Sequence, residues 1–130
     1  EPPRLPPAPL AVPVTGREVD LGTFQEAADL TNPVPLNPDT TARASALFLV
    51  NCSSCHGPSG RGASVVAAMF RAAGASPPVD FASERVKART PGQLYFVLTN
   101  GLGNMPAFGK LLTAEERWTV VHFIRAVAGE

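Results

Sequence analysis

The chain has 130 residues, and its 11 Lys and Arg are balanced by 11 Asp and Glu, so the formal net charge is zero. That length fits one domain with a single modest core, and the charge balance gives neither the basic excess that nucleic-acid binding draws on nor an acidic tail. No apolar run approaches the ~18 residues that mark a membrane span, and the start, E-P-P-R-L-P-P, does not read as a signal peptide, so a mature or trimmed form is expected.

Residues 1–38 hold nine of the fourteen prolines. Pro2, Pro3, Pro6, Pro7 and Pro9 favour an extended polyproline segment that cannot continue a helix. Further on, Thr23 and Glu26 have the three-residue spacing of a capping box, which predicts about two helical turns over Thr23 to Leu30. Apolar Val12, Val14, Val19, Leu21, Phe24 and Leu30 favour packing of this extension against the domain over a free linker. The expected division is a Pro-rich extension over 1–38 and a domain over 39–130.

From Asp39 the pattern turns helical. Pro38 and Asp39 supply a start signal, and Ala44, Leu47 and Phe48 recur at i, i+3 and i+4. This first core helix is expected to close with N-C-S-S-C-H-G at Asn51 to Gly57. Cys52, Cys55 and His56 form a C-x-x-C-H pattern, in which two thiols one helical turn apart can attach to the vinyl groups of a haem. The adjoining imidazole then supplies a ring nitrogen to the iron.

A zinc site would need more ligands than His122 can add to this group. A thiol redox pair would want a βαβ context, whereas the surroundings read as helices and Pro/Gly loops. One covalently held haem c, with His56 as proximal ligand, is therefore the leading reading. Thioether attachment takes place where proteins are exported, which points to the periplasm or the outer face of the cytoplasmic membrane. A lipid or helix anchor before Glu1 is left open. Beyond the motif, Gly57, Gly60 and Gly62 either let the backbone pass close to a flat cofactor or serve as ordinary turn glycines.

Ser64 to Ala73 is Ala-rich with Gly74 as a stop, which predicts a short helix; Met69 within it reads as core filler rather than a ligand. Pro77 and Pro78 then force an extended turn. A proximal His needs an acceptor for its second ring nitrogen, and the Pro78 carbonyl is the expected one. Thr90, Pro91 and Gln93 start another helix, with Leu94, Val97 and Leu98 on its apolar face and Asn100 and Gly101 at its end. Next comes G-L-G-N-M-P-A-F-G. A Met on such a loop is poorly explained by core packing, because loops run over the surface. As a soft thioether ligand favouring ferrous iron it is well explained, so Met105 is expected as the second axial ligand.

Thr113 and Glu116 form a capping box for a last helix that runs to Ala128, with Gly129 after it. Val120, Phe123, Ile124 and Val127 make one face, expected to meet the first core helix with Phe48 edge to face against Phe123. Trp118 falls on a different side and is assigned to a haem edge. His122 reads as a surface or helix-interface residue.

The order of helix, C-S-S-C-H-G, Gly-rich loop, Pro turn, helix, G-N-M-P loop and amphipathic last helix resembles class I cytochromes c from Asp39 to Ala128. N-P-V at Asn32 to Val34, the Leu47-Phe48 pair, C-H-G-P-S-G-R-G and E-R-W-T-V-V-H-F-I-R are similar to the monohaem, membrane-attached cytochrome subunits of alternative complex III. The resemblance implies an all-α fold of several helices around one haem c, bound by Cys52 and Cys55 with His56 and Met105 as axial ligands.

The implied role is one-electron transfer in a respiratory chain, from a quinol-oxidising complex towards a terminal oxidase, by an electron carrier and not an enzyme. Ser64 to Ala73 departs from the pattern, since many small class I cytochromes have only a loop there. Two competing readings stand beside this one: a haem sensor or peroxidase with a labile Met105, and a cytochrome domain cut from a larger redox enzyme. For a monomeric carrier of balanced charge, docking through a small apolar patch with modest salt dependence is expected.

Overall fold

The structure, a computed structural model, describes residues 21–129. The polyproline stretch with Pro2, Pro3, Pro6, Pro7 and Pro9, and the apolar Val12, Val14 and Val19, lie outside the described residues. Six α-helices follow a single 3-10 turn, and there is no β-strand among the described residues. None of these helices is long and apolar enough to cross a membrane.

The described part of the N-terminal extension, from Leu21 on, is laid onto the helices. Thr23 does close a turn, its Oγ1 accepting from the Glu26 amide at 3.1 Å, but only the 3-10 turn Glu26–Asp29 forms in place of two helical turns. Leu30 leaves helical space with ψ 136°, and Pro33 beyond it biases Asn32 to extended backbone. Asn32 donates from Nδ2 to the Trp118 carbonyl at 2.9 Å, and the Val34 carbonyl accepts from His122 Nε2 at 2.7 Å. His122 thus ties the extension to the last helix, as an interface residue.

Helix α1, Pro38–Asn51, starts one residue before the expected Asp39, because Asn37 and Thr40 form a reciprocal capping box with Pro38 at the first position. It buries Ala44 and Phe48 and packs chiefly on α6, Ala114–Val127. Phe48 and Phe123 meet as expected, yet the rings are stacked at 4.0 Å and 16° rather than edge to face. Phe81 takes the edge position on Phe48, at 5.8 Å and 69°.

The cysteine motif does not extend α1. Cys52 leaves helical geometry at φ −123° and ψ −26°, and a separate turn, α2, Ser53–His56, follows. Ser53 Oγ donates back to the Leu49 carbonyl at 2.6 Å, a local bond of the kind that bends helices.

Helix α3, Val65–Ala72, appears where the Ala-rich stretch predicts it, capped by Ser64. The four-residue helix α4, Glu84–Lys87, capped by Ser83, has no counterpart in the sequence reading. Helix α5, Pro91–Asn100, starts on the Thr90/Gln93 capping box, and α6 on the Thr113/Glu116 box.

Gly92 shows how closely the extension docks. A Cβ at this position would lie 1.9 Å from the Ala27 carbonyl oxygen, so only glycine lets the 3-10 turn rest on α5. We expect Gly92→Ala to destabilise the folded protein by about 2 kcal/mol. Denaturant unfolding followed by circular dichroism checks this, and an unchanged midpoint would mean that the extension is not held there.

Candidate functional site

One wall of the site is built around α2. Cys52 N–H donates to the Phe48 carbonyl, which carries α1 into the motif. The far end of the turn is closed by Gly57 at φ +81°, where a Cβ would sit 2.7 Å from the Ala63 carbonyl oxygen. Ser64 Oγ donates to the Cys55 carbonyl at 2.6 Å while also capping α3, so the departing helix is anchored on the motif. Gly60 and Gly62 do not line the cavity described below; they shape the turn beneath it, facing Phe81 and the Pro78 carbonyl.

The His56 ring is almost fully buried and lies 4.7 Å from the Phe81 ring. Its Nδ1 is 3.1 Å from the carbonyl of Val79, not that of Pro78. The Pro78 carbonyl points instead at Gly62, 3.3 Å from where a Cβ would stand. A carbonyl only accepts, so Nδ1 carries the proton and Nε2 keeps its lone pair. Burial lowers the His56 pKa from its usual 6.5, with the Val79 bond opposing in part, so the ring is neutral at neutral pH.

The second wall is the loop after α5. Leu102 and Met105 exchange backbone hydrogen bonds at 3.2 and 2.9 Å, folding G-L-G-N-M into a tight turn that presents Met105. Phe108 and Gly109 donate to the Leu98 and Thr99 carbonyls, closing the loop back onto α5.

Beneath it lies a fully buried cation, which the sequence reading passed over. Arg117 donates from Nη1 to the Gly109 and Leu112 carbonyls and from Nη2 to the Tyr95 hydroxyl at 3.0 Å. Its signal was in the spacing, because Arg117 stands at i−3, i−4 and i−7 from Val120, Val121 and Ile124, on the apolar face itself. Burial lowers its pKa, but a guanidinium stays charged. The Tyr95 phenol, pushed up to about 12 chiefly by burial, stays protonated beside it.

Between the walls opens a cavity of about 650 Å³, within the roughly 300–1,000 Å³ range of cofactor and ligand sites. Cys52, Cys55, His56 and Met105 all line it, so the structure brings the four sequence-selected residues together. Apolar Phe70, Phe81, Val86, Leu94, Val97, Leu98, Val120 and Ile124 supply much of the remaining surface. Pro78 contributes to the lining as well.

Trp118 does not. It stacks on Tyr95 at 4.0 Å and 8° and is buried on the side of α6 that faces α5, so its assignment to a haem edge is corrected. Met69 also stands outside the lining and is largely exposed, so it is not core filler. The two cysteines are free, and burial, with Cys55 adding to it, pushes the Cys52 thiol up to about 11. A thiol redox pair needs the opposite shift. An apolar cavity with two thiols, an imidazole with a free Nε2 and a thioether fits a haem, which Cys52, Cys55, His56 and Met105 would hold.

Fold and site together define an all-α cytochrome c domain of class I. The chain belongs to the family described as cytochrome C oxidase, cbb3-type, subunit III, matching its model over residues 39–124. It is 30% identical over 92 residues to the cytochrome bc1 complex cytochrome c subunit of Corynebacterium diphtheriae, covering 70% of this chain and 28% of that protein. The corresponding subunit of Corynebacterium efficiens is 29% identical, with 70% and 27% covered. Among solved structures, the reducing HAO-like protein complex of Kuenenia stuttgartiensis contains a chain that matches with a TM-score of 0.59 and 28% identity. That match covers 75% of this chain and 49% of the other. The chain thus spans less than half the length of each of these relatives. As a member of this family it is a cytochrome c domain, of the haem electron-transfer kind.

One outcome follows from the second wall. Replacing Arg117 with Met leaves loop carbonyls without their donor, and a loss of roughly 3 kcal/mol is expected in denaturant unfolding.

Proposed function

We propose that this chain is a one-electron carrier in a respiratory chain, holding one haem c covalently through Cys52 and Cys55 with His56 and Met105 as axial ligands. The observation that carries this reading is the placement of Met105, from a loop nearly fifty residues beyond the cysteine motif, in the same apolar cavity as Cys52, Cys55 and His56. The bound group supplies an iron that alternates between ferric and ferrous states.

The residues do the rest. The Val79 carbonyl holds the His56 ring in one tautomer and makes Nε2 a better donor. Arg117 and the Leu102–Met105 turn keep the thioether in place, and a soft thioether favours the reduced state. The apolar lining limits water. With donors on both walls, electrons pass to and from a partner without a substrate binding at the metal, so the reading is of a carrier and not an enzyme.

By its resemblance to complex III-type subunits, the donor is a quinol-oxidising complex and the acceptor leads towards a terminal oxidase. The two curated relatives, both named as bc1 complex cytochrome c subunits, support such a setting. The proposed place is the periplasm or the outer face of the cytoplasmic membrane, where haem c is attached. Half-exposed Leu102 at the cavity rim suits contact with a redox partner through an apolar patch. A second reading, a cytochrome domain within a larger redox protein, is favoured by the small share of each relative that the match covers.

Visible spectroscopy tests the ligand set. The oxidised protein should carry a weak far-red band that disappears in Met105→Ala, and the reduced variant, unlike the native protein, should take up carbon monoxide readily. Ready uptake by the native protein would instead identify a sensor- or peroxidase-like site. Cys52→Ala/Cys55→Ala should yield no cooperatively folded helical protein, because the centre of the core is lost.

A further inference from the structure

The cavity is apolar except at one edge. Among its lining residues the only side chains charged at neutral pH are Arg85, on α4, and Arg89, just beyond it. They stand four residues apart, and each guanidinium lies in the other's field, since Arg85 is one of the causes lowering the Arg89 pKa, after burial. Like charges at such spacing repel, so a pair with no carboxylate partner among the described residues, set beside an apolar cavity, calls for an anion.

The neighbouring charges do not supply it. Glu84 pairs with Lys87 at 3.7 Å, and Asp80 with Arg61 at 2.8 Å. None of the ion pairs among the described residues includes Arg85 or Arg89. From α6, Arg125 faces Arg89 with a further positive charge, donating from Nη1 to its backbone carbonyl. What does hold the Arg89 guanidinium is the N-terminal extension. It lies 5.5 Å from the centre of the Phe24 ring, and Phe24 is itself set edge to face on Phe96 of α5, at 6.0 Å and 76°.

We propose that Arg85 and Arg89 bind the two propionate carboxylates of the haem, and that Phe24 is a positioning residue that holds Arg89 at the cavity edge. This rests on the haem c reading above. Two cations match two carboxylates, and a planar guanidinium can grip a carboxylate with two parallel hydrogen bonds. Through Phe24 the extension is coupled to the charge next to the cofactor, although none of its described residues lines the cavity.

The test uses the full haem-loaded chain, with reduction potential measured against pH for the wild type, Arg85→Gln, Arg89→Gln, Arg89→Lys, Phe24→Leu and, as a control, Arg71→Gln on the exposed side of α3. Covalent haem and the far-red band report on the haem c reading separately. With these retained, Arg89→Gln should lower the potential and move a carboxylate inflection in the potential–pH curve upward by about one unit, since an adjacent cation depresses a carboxylate by 1–3 units. Arg85→Gln should act in the same direction.

Arg89→Lys should restore most of the wild-type curve, and Phe24→Leu should give a smaller shift of the same sign. A superimposable curve for Arg89→Gln, or an equal shift in Arg71→Gln, overturns the propionate site. A Phe24→Leu curve identical to wild type overturns the positioning role alone. Should Arg89→Gln fail to retain haem, Arg85→Gln carries the test, and a superimposable curve for that variant overturns the propionate site. A wild-type chain without covalent haem overturns the haem c reading itself.

Discussion

The hydrogen bond from the His56 imidazole to the Val79 carbonyl is the contact on which the site depends. It sets which ring nitrogen carries the proton, and so which one can meet a metal. The bond is also a point of attachment to the core: two residues after Val79 comes Phe81, whose ring lies against both His56 and Phe48. The imidazole is therefore held through one backbone oxygen and one aromatic ring, and Phe48 is in turn stacked on Phe123 of α6. A buried imidazole without that acceptor would carry an unsatisfied donor, at a cost that apolar packing alone does not offset.

The opposite wall is secured by different physics. Its loop is rich in glycine and proline and has few apolar side chains with which to pack, so its position is fixed by backbone hydrogen bonds to the end of α5 and by the Arg117 guanidinium underneath. One wall rests on a neutral bond inside an aromatic cluster, the other on a charge satisfied by carbonyls and a phenol. The cavity owes its shape to both, and the stack of Trp118 on Tyr95 stiffens the second wall from behind.

Local signals carried most of what was legible in the sequence. The capping boxes at Thr90 and Thr113, the cysteine spacing and the Met on a Gly/Pro loop are each read from residues a few positions apart, and each forms where the pattern indicates. The features that escaped are decided by long-range geometry. Whether Pro78 or Val79 turns its carbonyl to His56 depends on a single ψ angle in an extended turn. The partner of Trp118 comes from a helix more than twenty residues away, and a helical wheel can say only that it points elsewhere than Phe123. Arg117 on the apolar face of α6 looks like a breach of the pattern until the loop carbonyls it serves are known. Helix α4 is a single turn, too short for any periodicity to register.

The α1–α6 pairing has a kinetic consequence. Phe48 and Phe123 are 75 positions apart, and closing a chain loop of that length costs roughly 4 kcal/mol in entropy before any contact repays it. Nearly every residue of both cavity walls lies within that loop or at its ends. Each wall is tied together by contacts of shorter range, but setting the two face to face across one chamber draws on that same long-range pairing of the first and last helices.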